Sequence, residues 1–273
     1  MDDRINQIAS LANVSAYDAA ATRKYIDGAP HLKHASLRRY YSTLVVQVFD
    51  NARRYAQSPL VLDLGAGEGA ATLPFLELGA RVVAVDISRS QLNALRNKCK
   101  QFAGMLEVRC EDIHLALREK REKYDIVVAN SFLHHVPDYQ GLIREAAMVI
   151  KPHGQFFSFQ DPLRYDSVGK AAMMFSTLAY ASWRVFKGDV IGGLKRRIRR
   201  FQGIYIEDSM HDNAEYHVTR NGVDQNAIRR LFEAMGFHCD IVPYFSTQSA
   251  VFQPIGVFLG VKNTFAAVAR RGV

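Results

Sequence analysis

The chain has 273 residues, 48% of them hydrophobic and 23% charged, with a formal net charge of +8. This composition excludes an intrinsically disordered chain, and the longest apolar-rich stretch, residues 171–183, is shorter than the roughly 20 residues that span a bilayer. The polar, acidic N-terminus predicts no secretory signal. Three scattered cysteines without a CxxC spacing predict reduced packing residues, so we expect a cytoplasmic protein.

Residues 1–57 predict helices that form an N-terminal cap, because apolar residues recur at helical spacing until Pro59 ends the pattern. Residues 58–162 form the predicted core, in which apolar strands alternate with helices. This alternation indicates an α/β fold with a mostly parallel sheet covered on both faces. The predicted strands are 60–65, 81–87, 106–112, 124–130 and 154–161.

Residues 163–222 interrupt the alternation of strands and helices. They are longer than an ordinary connection and predict an inserted substrate lid. Residues 223–273 then complete the core sheet, with one helix followed by two final strands, which we place at 237–245 and 254–262.

The positive charge of the chain is concentrated within the predicted lid. Seven basic residues and a single acid, Asp189, lie between Arg184 and Arg200. Apolar residues at helical spacing predict a basic amphipathic helix in this segment. Such a helix can be a solvated face, a membrane-surface contact, an anionic-ligand site or a nucleic-acid contact, and all four stay open. Peripheral membrane contact through residues 184–201 would place the protein at the inner membrane surface.

A glycine-rich turn follows the first strand in "VLDLGAGEGAAT". Gly65, Gly67 and Gly69 let the backbone turn sharply and approach a ligand closely. Asp86 ends the second strand 21 residues after Gly65, where an acid typically accepts hydrogen bonds from a ribose. The pattern therefore predicts a cofactor that contains a nucleoside. The lack of a Tyr-x-x-x-Lys pair, and Asp63 inside the strand, argue against a nicotinamide dehydrogenase.

The segments "LDLGAGEG", "AVDIS", "CEDI" and "YDIVVANSFLHHVPD" together resemble the class I S-adenosylmethionine-dependent methyltransferases, especially the branch that acts on sugars and natural products. The resemblance covers residues 60–162 well and 223–263 more loosely. It implies a Rossmann-like, seven-stranded, mostly parallel sheet whose last hairpin is antiparallel. It also implies S-adenosylmethionine as cofactor and S-adenosylhomocysteine as product.

The same resemblance implies the cofactor-binding residues. The turn from Gly65 to Gly67 would pass under the methionine part of the cofactor, with Asp63 orienting it and Asn130 nearby. Asp86 would hold the ribose hydroxyls. Asp112 would accept from the adenine amine or cap the next helix, and the isoleucines after Asp86 and Asp112 would pack on the ring. The full predicted set is Tyr25, Asp63, Gly65, Ala66, Gly67, Asp86, Ile87, Asp112, Ile113 and Asn130.

The substrate contacts are predicted on either side of this core. N-terminal helices often close over the cofactor in the family that the chain resembles, so Tyr25 would contact the cofactor and Tyr17 the substrate. His217, within the predicted lid, is a further candidate substrate contact.

Two adjacent histidines carry the predicted chemistry. Methyl transfer is an in-line displacement, and a base helps where the acceptor is a hydroxyl that must lose a proton. His134 and His135 follow the fourth strand, and Asp161 follows the fifth, at the edge of the sheet where ligands bind. The resemblance implies that one of these histidines and this acid form the base pair. A helix-capping or packing role is the alternative for both histidines.

We predict no metal site, because adjacent histidines rarely reach one ion together. The predicted reaction is O-methylation of a sugar, glycolipid or secondary metabolite, with N- or C-methylation open. An RNA methyltransferase and a non-methylating cofactor-binding protein or cyclase remain alternatives. Nucleic acid is not the expected partner, since no Asn/Asp-Pro-Pro-aromatic segment follows the fourth strand.

Overall fold

The computed structural model describes residues 29–118, 124–186 and 222–272. It contains a seven-stranded sheet in the order β3-β2-β1-β4-β5-β7-β6. The strands are β1 Leu60–Leu64, β2 Arg81–Asp86, β3 Leu106–Cys110, β4 Tyr124–Asn130, β5 Ile150–Pro162, β6 Phe237–Tyr244 and β7 Thr264–Arg271. The first five strands are parallel to one another, and β7 pairs antiparallel with both β5 and β6. The predicted fold class is therefore confirmed.

Helices cover both faces of the sheet. They are α1 Pro30–Lys33, α2 Ala35–Arg53, α3 Thr72–Glu77, α4 Arg89–Lys98, α5 Ile113–Arg118, α6 Tyr139–Val149, α7 Lys170–Phe186, α8 Gln225–Ala234 and α9 Phe252–Phe258. One apolar cluster joins α2, α3 and α4 to the sheet, and a second joins α5, α6 and α8 to its opposite face. The two clusters give the three-layer arrangement that a parallel sheet requires.

The prediction of the last strand is wrong. Residues 254–262 were expected to be extended because they are rich in valine, isoleucine and phenylalanine, but α9 occupies most of this range. Two tertiary contacts hold the helix. The Gln253 amide donates to the Phe245 carbonyl at 3.0 Å, and a Cβ on Gly256 would lie 2.2 Å from the Phe245 ring. The true final strand, β7, is alanine-rich and was missed for that reason.

The structure describes the predicted N-terminal cap from residue 29 onwards and only part of the predicted lid. Helix α2 packs its apolar side into the core, with Val45 and Val48 buried. Of the predicted lid, residues 163–186 and 222 are described, and most of the basic run lies outside the described residues. No helix within the described ranges is both long and apolar enough to cross a membrane.

Candidate active site

The glycine-rich turn joins β1 to α3 at the carboxyl edge of the sheet. Gly65, Gly67 and Gly69 have φ angles of 67°, 53° and 90°, which residues with a Cβ rarely adopt. The amides of Gly65 and Ala66 donate to the Val85 carbonyl at 2.9 and 3.0 Å. These bonds fix the turn against the end of β2.

The turn is covered at its first glycine and open at its second. A Cβ on Gly65 would lie 2.2 Å from the ring of Phe132, so this ring, from the turn after β4, packs directly on the glycine. Within the described ranges, a Cβ on Gly67 would meet only the Gln91 Oε1 atom within 4 Å, at 3.9 Å. A ligand can therefore approach the backbone at Gly67. Phe132 was not predicted.

Asp63 supports the turn from within the sheet. Its buried carboxylate accepts a 2.6 Å hydrogen bond from the hydroxyl of Thr72, the first residue of α3. Burial, together with the nearby charge of Asp86, raises the pKa of Asp63 to about 7. The contact ties β1 to α3 across the turn, which is the geometry of an orienting residue.

Asp86 connects the end of β2 to the glycine-rich turn. One carboxylate oxygen accepts from the Gly67 amide, and the other accepts from the Ser88 amide, both at 2.8 Å. Ser88 caps α4 by accepting from the Gln91 amide. The acid is thus held in one orientation at the edge of the sheet, and its contact with a ribose stays a prediction.

Asp112 makes the capping contact that was predicted as its alternative role. Its Oδ1 accepts from the His114 amide at 2.8 Å, before the first turn of α5. Ile113 packs against the core cluster, and Ile87 is partly buried in the turn after β2. The adenine contacts of these residues stay predictions.

The ends of β4 and β5 have strained backbone. Ser131 and Gln160 have φ angles of 53° and 71°, in the left-handed region that non-glycine residues rarely occupy. The Ser131 amide donates to the Phe159 carbonyl at 2.6 Å, and the register of β5 shifts between Phe159 and Asp161. Such strain persists only where the surrounding structure imposes it, and it is common at functional sites.

This irregular region brings His134 and Asp161 together. The His134 Nδ1 atom lies 2.8 Å from Asp161 Oδ1, and the His134 amide donates to the same oxygen at 3.2 Å. Asp161 is fully buried. Burial lowers the pKa of His134 and raises the pKa of Asp161 to about 8. The pair therefore holds one proton between its two members at neutral pH, with no net charge.

The residues around the pair make different contacts. The His134 ring contacts Asp161, and the ring centres of His134 and His135 lie 4.1 Å apart. Asp138 caps α6 by accepting from the Gly141 amide at 3.0 Å. Since Phe132 and His134 share one turn, the pair lies beside the glycine-rich turn that Phe132 contacts.

A buried histidine on α1 was missed by the sequence analysis. The His31 ring is fully buried, and its Nε2 atom lies 3.3 Å from the Asn130 Nδ2 atom at the end of β4. The His31 ring centre is 6.0 Å from the ring centres of Tyr41 and Phe159. Within the described residues, His31 Nδ1 and Asn130 Oδ1 have no hydrogen-bond partner. No spacing in the sequence marks a lone histidine on a four-residue helix.

Tyr244, at the end of β6, was also missed. Its hydroxyl donates to the Gln160 Oε1 atom at 3.1 Å, and its ring stacks on Phe159 with 4.9 Å between ring centres. Burial, reinforced by the charge of Asp161, raises its pKa well above the usual value for tyrosine. The tyrosine therefore stays protonated and supports the strained end of β5.

His31 should make the fold sensitive to acid. Burial lowers its pKa from 6.5 to about 4, so the unfolded chain binds a proton between these values that the folded chain does not. Its contribution to stability is present above pH 6.5 and is lost as the pH falls towards 4. We expect the free energy of unfolding of the wild type to fall, between pH 7 and 4.5, by about 2–3 kcal/mol more than that of His31→Gln.

Urea unfolding at both pH values measures this difference. The comparison between the two proteins is needed because the raised pKa values of Asp63 and Asp161 change stability in the opposite direction. Equal changes for wild type and His31→Gln would show that His31 is protonated inside the fold.

Three predicted site residues, Tyr17, Tyr25 and His217, lie outside the described residues. Among the residues that the structure describes, no group of three or more metal-ligating side chains is close enough to hold an ion. The contacts of these three residues with cofactor or substrate stay predictions.

Comparison with known proteins identifies the family. Residues 62–158 match the family described as "Methyltransferase domain". A demethylmenaquinone methyltransferase of Tropheryma whipplei (strain Twist) is 32% identical over 165 residues, which are 53% of this chain and 68% of that protein. The chain belongs to the class I S-adenosylmethionine-dependent methyltransferases. A ubiquinone biosynthesis O-methyltransferase of Coxiella burnetii (strain Dugway 5J108-111) is 35% identical over 97 residues, 36% of this chain. The methyltransferase described here spans 41% of that relative's length.

Solved structures share the fold. A magnesium protoporphyrin IX methyltransferase from Synechocystis PCC 6803 with bound S-adenosylhomocysteine superposes with a TM-score of 0.56 at 15% identity, covering 99% of this chain and all of that one. An N-methyltransferase from Bradyrhizobium japonicum WM9, also with S-adenosylhomocysteine, gives 0.52 at 13% identity, covering 96% and 98%. At this level of sequence identity, the structural similarity shows that this methyltransferase has the same fold.

The side chains at the edge of the sheet fit the cofactor of the family. The turn is open at Gly67, and the Asp86 carboxylate beside it can accept hydrogen bonds from hydroxyl groups. Asn130 Oδ1 is a buried acceptor that lacks a partner in the described part of the chain, as a site for an amino group would require.

Proposed function

We propose that this methyltransferase methylates a hydroxyl group of a small molecule, and that His134 accepts the proton of that hydroxyl. The observation that carries the proposal is the 2.8 Å contact between His134 Nδ1 and the buried Asp161. A carboxylate bonded to one ring nitrogen orients the imidazole and stabilises its protonated form. Methylation of an amine needs less help from a base, so the pair favours an oxygen acceptor.

The cofactor would lie on the glycine-rich turn. Gly65, Ala66 and Gly67 would face its methionine part, Asp86 its ribose, and Asp112 its adenine. When bound, S-adenosylmethionine supplies a methyl group attached to a positively charged sulfur, and the sulfur leaves as an oxygen nucleophile bonds to the methyl carbon. Each of these cofactor contacts is inferred from the position of the residues at the edge of the sheet.

The chain's own residues hold and move the proton. Because Nδ1 of His134 is bonded to Asp161, the proton of the acceptor would be taken at Nε2. Burial of both partners keeps the pair net neutral at pH 7, so loss of its proton is required before Nε2 can act as a base. The fully buried Asp161 and the Phe132 ring keep water away from this side of the site.

The acceptor class follows from the branch that the chain resembles and from the names of its relatives. A sugar, a glycolipid or a secondary metabolite is the first candidate. The relative named as a ubiquinone biosynthesis O-methyltransferase adds the hydroxyl groups of quinone precursors to the candidates. The relative named as a demethylmenaquinone methyltransferase adds a quinone as acceptor and keeps C-methylation open. The cytoplasmic location stays a prediction.

A methyl-transfer assay with labelled S-adenosylmethionine tests the function. We expect label in a phenolic, glycosidic or quinol hydroxyl of a small-molecule panel, with equimolar S-adenosylhomocysteine. Transfer to RNA, with binding that weakens steeply with salt, would support the RNA alternative instead. Cofactor binding without transfer to any acceptor in a panel that also contains amines and carbon nucleophiles would support a non-methylating protein.

A further inference from the structure

Helix α7 exposes apolar side chains along one complete face. The exposed positions recur every three or four residues, which places them in a single stripe. The stripe consists of Ala171, Met174, Leu178, Ala181 and Val185. Met174 is 64% exposed and Leu178 is 53% exposed, so these large side chains are not covered by the fold. A surface helix of a soluble protein normally turns such a stripe towards the core.

The side of α7 that faces the protein carries the buried Ala179 and the Phe175 ring, and two serines of the helix also bond to the protein. The Ser176 hydroxyl accepts from the Asn263 amide at 3.2 Å, and the Ser182 hydroxyl lies 3.1 Å from that of Ser249. Both serines therefore bond to the segment around α9 while the apolar stripe points outwards. Helix α7 is therefore apolar on its exposed stripe as well as on the side that packs against the fold.

Helix α9 buries a polar side chain and exposes apolar ones. Gln253 is buried and bonded to backbone groups, whereas Ile255 is exposed and Phe258 is 89% exposed. The Phe175 ring of α7 and the Phe252 ring of α9 lie 5.4 Å apart and hold the two helices side by side. We call the exposed apolar residues of these helices the α7–α9 surface: Ala171, Met174, Leu178, Ala181, Val185, Phe186, Val251, Ile255, Val257, Phe258 and Leu259.

An apolar groove joins the two helices within this surface. It has a volume of about 740 Å³ and lies between α7, α8 and the turn after α9. Met174, Leu178 and Leu259 belong both to the lining of the groove and to the α7–α9 surface. The exposed face therefore continues into a cavity that an apolar chain could enter.

The charge around this surface is positive. The sequence has no acidic residue between 167 and 187 or between 241 and 264. Lys170 and Lys262 are exposed, and Arg229 lies in the groove lining. The Arg184 guanidinium lies 5.2 Å from the Tyr180 ring centre and 5.9 Å from that of Trp183. Aromatic and basic side chains next to an apolar face are typical of a membrane interface.

We propose that the α7–α9 surface docks on an anionic lipid bilayer, with its apolar side chains in the boundary between headgroups and acyl chains. A second copy of the chain fits less well, because a symmetric contact would bring the lysines and arginines of both copies together. An acidic protein partner would need polar groups for recognition, which the exposed apolar stripes do not provide. A bilayer needs only apolar area and positive charge.

Docking on lipid is independent of the proposed reaction. It overlaps the contact predicted through residues 184–201 only at Val185 and Phe186, and it assigns binding to apolar side chains of α7 and α9. The proposal is therefore tested by binding alone, with the full chain and without an acceptor.

Co-sedimentation with vesicles tests the proposal. The probes are vesicles of phosphatidylcholine alone and of phosphatidylcholine with phosphatidylglycerol. We expect the wild type to bind the anionic vesicles at low salt and to bind several-fold more weakly at physiological salt. The double variant Met174→Glu/Leu178→Glu should bind at least about tenfold more weakly, because two carboxylates would enter the interface. Lys262→Gln should weaken binding by about fivefold.

A matched variant controls for the loss of apolar residues. Met148→Glu/Leu115→Glu makes the same two changes at side chains that are each 55% exposed on α6 and α5, and should bind like the wild type. Circular dichroism checks that both variants fold. The proposal is overturned if the wild type does not bind anionic vesicles, if the α7 variant binds as well as the wild type, or if the control variant loses binding equally. A concentration-dependent dimer, by light scattering, that Met174→Glu/Leu178→Glu abolishes would assign the surface to a second copy.

Discussion

Replacing His134 by alanine is expected to lower kcat for methyl transfer by about 10²- to 10⁴-fold, which is the usual contribution of a positioned general base. The substitution removes the ring nitrogen that would accept the proton and leaves the buried Asp161 without the imidazole at 2.8 Å. Affinity for S-adenosylhomocysteine should change little, because the glycine-rich turn is held by contacts to β2. Steady-state kinetics and calorimetry measure the two quantities separately.

His135→Ala is the matched control for this experiment. It removes the adjacent ring of the same turn, and we expect kcat to remain within about tenfold of the wild type. Equal losses in the two variants would mean that the turn as a whole, and not His134, determines the rate. Near-wild-type rates for both variants would remove the base from the proposed mechanism.

The pH profile gives an independent test of the same pair. Burial raises the pKa of Asp161 to about 8, and the pair becomes a base only when its shared proton has been lost. Wild-type kcat should therefore rise with pH through about 8. Asp161→Asn should have a lower kcat and should lack this rise, since burial keeps the pKa of His134 far below neutrality. A wild-type rate independent of pH between 6 and 9 would contradict the proposal.

Asp86→Ala is expected to weaken S-adenosylhomocysteine binding by about 100-fold or more, because hydrogen bonds to a charged group contribute about 1.5–3 kcal/mol each. The carboxylate accepts from the amides of Gly67 and Ser88, so its loss would free the glycine-rich turn as well as remove the proposed ribose contact. Calorimetric titration measures the affinity.

Two further variants separate the parts of this effect. Asp86→Asn can accept from only one amide through its oxygen, so it should bind with intermediate affinity. Asp240→Ala removes an acid from β6 that is paired with Arg270, away from the turn, and should bind like the wild type. If Asp86→Ala bound as tightly as Asp240→Ala, Asp86 would have no part in holding the cofactor.

The positions of the first five strands along the chain were predictable from local sequence. Buried parallel strands are continuous apolar runs, and Gly65 and Gly67 mark a turn that only glycine adopts without strain. These are local properties, visible without knowledge of the partners of each segment. The segment around Phe258 shows the limit of this reasoning, because its strand-like composition was overridden by contacts of Gln253 and Gly256 with Phe245.

The candidate site divides in the same way. The positions of Asp86 and Asp161 at strand ends were predicted from the sequence, because the carboxyl ends of parallel strands share one edge. The contact of His134, and not His135, with Asp161 could not be predicted in this way, because it depends on the tertiary arrangement of the turn after β4 and the irregular end of β5. His31 lies 99 residues from Asn130 in the chain, and no local pattern could join them.

The sequence by itself determined the class of fold, the glycine-rich turn and the acids that follow or end the second and fifth strands. Each follows from spacing within about 25 residues, the range over which backbone period and turn chemistry act. Only the tertiary structure decided which histidine meets the acid, which aromatic ring covers Gly65, and which way α7 faces. An apolar stripe has the same spacing whether it is buried or exposed, so its orientation depends on the packing of distant segments.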